Sequence, residues 1–134
     1  MKLEDQVTSL ELSKRLKELG VLQDSLWCWY ASKSPARDKH FLERDNVPSR
    51  LNEHKVSAFT VAELSIEMPE YSFTLYWEDK RWRCACDGSL LKYRLGIENS
   101  KGYNNELLNF YCSNPANALA MLKVNLVKRG ILKV

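Results

Sequence analysis

Residues 71–86, YSFTLYWEDKRWRCAC, alternate side chains with period two, and no other stretch constrains the fold as much. Tyr71, Phe73, Leu75 and Trp77 share one face, while Ser72, Thr74, Tyr76 and Glu78 share the other. Glu78-Asp79-Lys80 turns the chain, and Trp82, Cys84 and Cys86 resume the alternation on a return strand. A hairpin alone is marginal in water, so its apolar face, with Phe73 and Trp77 in it, must be covered. The helical segments toward the two ends of the chain are the natural cover.

The first of these opens at Thr8-Ser9-Leu10-Glu11, a capping box in which the Thr8 hydroxyl accepts from the Glu11 amide and the Glu11 carboxylate reaches back. Leu12, Leu16 and Leu19 then form one apolar stripe, and Gly20 supplies the left-handed residue that ends the helix. Thr60-Val61-Ala62-Glu63 repeats the device for a short second helix, stopped before Pro69. Asn114-Pro115 opens the last helix, with Asn as cap and Pro where its missing N–H costs nothing. There Leu119, Leu122 and Leu126 suffice to cover a sheet, which leaves Ala120, Val124 and Val127 as a second stripe with Lys123 between. Two explanations stand for that second stripe. It meets a second copy of the chain about a two-fold axis, with the Lys123 ammonium in solvent, or residues 26–30 or the tail from Ile131 cover it.

Further strands are expected at 26–30, where Trp27, Trp29 and Tyr30 cluster, at 90–97 and at 107–112. Residues 31–50 carry two prolines, mixed charge and few apolar side chains, and read as a long mobile excursion without secondary structure. The 134 residues otherwise make one domain, long enough to bury a core without staples. The class expected is α+β: a small antiparallel sheet packed against the N- and C-terminal helices.

Twenty Lys and Arg against seventeen Asp and Glu give a net charge of +3, less than dedicated nucleic-acid binders carry. MKLEDQVTSLEL has no apolar run of signal-peptide length, and no later run would span a membrane, so a soluble cytoplasmic protein is expected. In that compartment Cys28, Cys84, Cys86 and Cys112 would be reduced. Cys84-Ala85-Cys86 points two thiols to one face of a strand, but structural zinc prefers a longer Cys-x2–4-Cys turn, so core cysteines are the better reading. No cofactor is expected.

Four other signals bear on chemistry. ELSKRLKELGV followed by LQDSLWCWY has the outline of a helix-turn-helix, but Leu16 occupies a position that wants Ala or Gly, and the second segment lacks base-reading side chains. His40 and His54 stand without a nucleophile motif, phosphate loop or carboxylate pair, and read as surface histidines. Arg81-Trp82-Arg83, with Lys92, Tyr93 and Arg94 on the expected neighbouring strand, forms the strongest basic-aromatic cluster. Such a face can hold phosphates while aromatics stack bases, although long basic side chains also serve simply to blunt a sheet.

Three blocks of the sequence, residues 7–21, residues 57–64 and Asn114-Pro115-Ala116-Asn117-Ala118-Leu119 onward to Gly130, together resemble a family of small proteins carried by phages, prophages and other bacterial mobile elements. The resemblance covers both ends and the middle block; residues 71–103 depart from it. It implies a small α+β cytosolic protein and brings no catalytic residues. The expected function is therefore that of a non-enzymatic accessory or interaction protein of such an element, acting on an unidentified protein partner or on itself. A nucleic-acid-binding module using Arg81, Trp82, Arg83, Lys92 and Arg94 is the alternative, and a small enzyme with a concealed site stands third.

Overall fold

From its N-terminus the chain makes a short 3-10 turn at Leu3–Asp5, then α1 (Leu10–Glu18), β1 (Trp27–Ala31), β2 (His40–Arg44), β3 (Lys55–Ser57), α2 (Val61–Ile66), β4 (Thr74–Glu78), β5 (Arg81–Asp87), β6 (Leu107–Cys112) and α3 (Pro115–Lys128). This computed structural model describes residues 1–31, 40–45, 55–66, 68, 73–87 and 107–134. The strands form two antiparallel three-stranded sheets, in the orders β2-β1-β3 and β4-β5-β6. Helix α1 packs on β3 of the first sheet, and α3 packs on all three strands of the second. The class is α+β, with the terminal helices on the sheets as expected.

The caps explain where the helices begin. Asn114 accepts from the Asn117 amide at 3.1 Å, with Pro115 in the first helical position. The Thr60–Glu63 box of α2 also forms: the Thr60 hydroxyl accepts from the Glu63 amide, and the Glu63 carboxylate accepts from the Thr60 amide at 2.7 Å. The α1 box does not. Ser9 is the cap, accepting from the Leu12 amide, because the Thr8 hydroxyl is engaged elsewhere. It accepts from the Phe59 amide at 2.9 Å and lies 2.7 Å from the Ser13 hydroxyl, while the Thr8 amide donates to the Phe59 carbonyl at 2.8 Å. Thr8 is fully buried and ties α1 to the chain just before α2.

The second sheet is built on the predicted hairpin. Asp79 and Lys80 both have positive φ, 48° and 60°, the two-residue turn whose twist matches the strands it joins. Leu75 faces Cys84 and Trp77 faces Trp82 across the pair, so the inner face is the one the alternation assigns. Cys84 and Cys86 are fully buried there, in one core cluster with Leu119, Leu122 and Leu126 of α3. Trp77 departs from expectation. It points to the inner side but lies one residue from the turn, and stays 57 % exposed, meeting Trp82 edge-on at 5.7 Å.

Further expectations change, and one is left outside the described residues. A second sheet exists, because β2, inside the span 31–50 expected to lack structure, pairs with β1 from Trp27↔Arg44 to Ala31↔His40. The expected strand at 90–97 lies outside the described residues. The second stripe of α3 is occupied by the chain itself: Ala120 and Val124 are buried, Val127 is half-buried, and both α1 and α2 pack against α3. Two residues of the self-association surface expected at Ala120, Val124 and Val127, namely Ala120 and Val124, thus belong to the chain's own core. Lys123, expected at solvent, is 2 % exposed and engaged by neighbouring groups. No described helix is long and apolar enough to cross a membrane.

Candidate functional site

The period of two along β5 sends Trp82, Cys84 and Cys86 inward and Arg81 and Arg83 outward, to the face turned away from α3. On β4, Tyr76 stands in register with Arg83. On β6, Tyr111 stands in register with Arg83 from the other side, and Asn109 lies beside it on the same face. Four large side chains from three strands therefore meet on one surface.

Their geometry is specific. The Arg83 guanidinium lies 5.3 Å from the Tyr76 ring centre and 5.6 Å from that of Tyr111. Its Nε donates to Asn109 Oδ1 at 2.7 Å, and a terminal nitrogen pairs with the Glu78 carboxylate at 3.0 Å. Desolvation opposes the Arg83 charge, but the Glu78 hydrogen bond and the electrostatic effects of Tyr111, Tyr76 and Glu78 together outweigh it, and its pKa is raised. Arg81 reaches over the other tyrosine, its guanidinium 4.8 Å from the Tyr111 ring centre. Among the described residues no carboxylate pairs with Arg81, which is exposed. Tyr111 is 39 % exposed. Guanidinium-on-ring contacts of this kind hold cations flat against an aromatic surface.

Of the five residues expected to form the basic-aromatic site, Arg81 and Arg83 are brought together. Trp82 points to the opposite, inner face, half-buried beside Trp77. Lys92 and Arg94 lie outside the described residues. The place beside β5 expected for their strand is taken by β6, which brings Tyr111 and Asn109 instead. Neither was singled out from the sequence. The signal for them was the alternation of LLNFYC, whose Leu108 and Phe110 face the core while Asn109 and Tyr111 face out.

A second polar cluster sits on the first sheet. Asp45 accepts from the Tyr30 hydroxyl at 3.0 Å and pairs closely with the Lys55 ammonium, beside the fully buried Cys28. The Lys55 bond holds the Asp45 carboxyl below the usual range. Burial, then the Asp45 charge, pushes the Cys28 thiol up to about 11, so it is a poor nucleophile. This cluster clasps the end of β2 to β3. Burial likewise raises Cys84 to about 12, and the Cys84-Ala85-Cys86 pair is core, as expected. Among the described residues no group of three His, Cys, Asp or Glu is placed to hold a metal ion. His40 lies on β2, half-buried, and His54 lies outside the described residues.

Comparison with protein-family models, with curated proteins and with solved structures gave no match.

Proposed function

We propose that this chain is a non-enzymatic interaction protein, an accessory of a phage or integrated element, which engages its partner through the outer face of the β4-β5-β6 sheet. The observation that carries the reading is the convergence of Tyr76, Arg81, Arg83 and Tyr111 on the side of the sheet that α3 leaves uncovered. Their rings and guanidiniums contribute little to the core, which lies on the other side. A face built only for solubility has no need of two tyrosines in register with one arginine. The accessory role is supported by the likeness of residues 7–21, 57–64 and the α3 region to small phage and prophage proteins.

A photo-crosslinking residue in place of Tyr76 tests the reading in bacterial cells, with the same residue in place of the exposed Lys14 on α1 as control. Adducts specific to the Tyr76 position support the outer face. Identical adduct patterns from both positions refute it.

A further inference from the structure

The geometry points to a single-stranded nucleic acid as the ligand of this face, an inference that rests on the outer face being the binding surface. Strands in a sheet lie about 4.8 Å apart, so Tyr76 and Tyr111, one strand to either side of Arg83, are rooted about 10 Å from each other. Between them the Arg83 guanidinium is fixed by Glu78 and Asn109. Arg83 is thus a positioning residue, whose charge is already satisfied. It lies against both tyrosine rings and fixes their spacing.

Arg81 differs. It rests over the Tyr111 ring, 4.8 Å from its centre, with no carboxylate partner among the described residues. An exposed, oriented guanidinium at the rim of an aromatic platform matches a ligand that presents a flat ring and an adjacent phosphate. A single-stranded nucleic acid presents both along its length. A duplex hides its base faces, leaving the tyrosines with nothing to stack on, and an acidic peptide answers the guanidinium but not the rings. Among the described side chains around Tyr76 and Tyr111, two guanidiniums stand against one carboxylate, Glu78, and Arg81 is left to meet a phosphate.

The test is fluorescence anisotropy of labelled oligo-dT and oligo-rU fifteen-mers, with a matched duplex and an oligo-glutamate peptide as competitors, in a salt series. Saturable binding of either single strand, displaced poorly by duplex and peptide, is expected. Tyr111→Ala should weaken it at least about fivefold, the lower end of a stacking loss, while Tyr111→Phe keeps it. Arg81→Ala should flatten the log–log salt slope by about 0.7, one phosphate on a single strand. Both positions are on the surface, and circular dichroism with thermal melts confirms that each variant is folded. No saturable binding of either strand, or unchanged binding by folded Tyr111→Ala, overturns the inference. Equal displacement by peptide also overturns it, in favour of an acidic protein. If the strands fail while Tyr76-specific protein adducts persist, the ligand class falls and the binding face stands.

Discussion

Replacing Thr8 by Val removes one oxygen and keeps the side chain's shape. The Thr8 hydroxyl is fully buried and accepts the Phe59 amide at 2.9 Å, with the Ser13 hydroxyl 2.7 Å away. Valine leaves the Phe59 N–H buried without an acceptor, a loss of about 1–3 kcal/mol. The Ser13 hydroxyl retains the Thr8 carbonyl at 3.4 Å and so adds less. A total near 2–3 kcal/mol is expected. With about 2.1 cal/mol/K of unfolding entropy per residue, a 134-residue chain shifts its midpoint by roughly 3.5 °C per kcal/mol. The melt should therefore fall by about 7–11 °C, and the urea midpoint should fall with an unchanged slope. Ser9→Ala is the comparison: its cap bond is long, 3.4 Å, and should be worth only about 0.5–1 kcal/mol. The doubly substituted Thr8→Val, Ser13→Ala chain should lose less than the two single losses added, because both remove one contact. If Thr8→Val melts no lower than Ser9→Ala, the buried hydroxyl is not the tie described, and α1 is held by its leucines alone.

The remaining predictions follow from burial and charge. Trp77→Ala should lose only about 1 kcal/mol in urea titration, because the ring is mostly exposed, whereas Leu119→Ala in the α3 core should lose about 2–5 kcal/mol. Val124→Glu places a carboxylate among buried side chains; circular dichroism should show unfolding, and a folded variant that merely sediments lighter would restore a dimer interface there. At pH 8 a thiol reagent should leave Cys28 and Cys84 unmodified in the native chain, with thiolate forming only near 11 and 12, and should react once urea is added. Burial works against the Glu63 charge, but the Thr60 and Leu26 amides, with the Thr60 and Ser25 hydroxyls, together outweigh it and lower its pKa. Its stabilisation is thus complete above the ordinary glutamate value of about 4.3 and is lost as pH falls through the lowered folded value; Glu63→Gln should remove that part of the acid transition.

Local chemistry was readable wherever a few adjacent residues decide the outcome. The Thr60–Glu63 box, the Asn114-Pro115 start and the 79–80 turn are of this kind, as is β6 at Leu107–Cys112. Thr8 misled because Ser and Thr hydroxyls serve either a helix start or a distant backbone group, and Phe59, fifty-one positions away, decided between them. Strand β2 was missed because His40-Phe41-Leu42-Glu43-Arg44 lies at a sheet edge with both faces partly exposed, so it shows no alternation. Half of the outer-face cluster was legible from β5 alone. The tyrosines were not, because strand order is a property of pairing, and β6 joins β5 across a twenty-residue separation.

Asn114 does more than start α3. Its side-chain nitrogen donates to the carbonyls of Glu4 and Val7, 110 and 107 positions earlier, and Asn117 accepts from the Ser9 amide. Closing a loop of that length costs about 4 kcal/mol of chain entropy, so these bonds come late in folding. On a ribosome the consequence is one of waiting. Elongation at about 5–20 residues per second puts α3 some 5–19 s behind α1. Through that interval the leucine face of α1 has no α3 to rest on. Vectorial synthesis thus gives the nascent chain a window in which a chaperone competes with its own last helix, and α3 closes that window as it emerges.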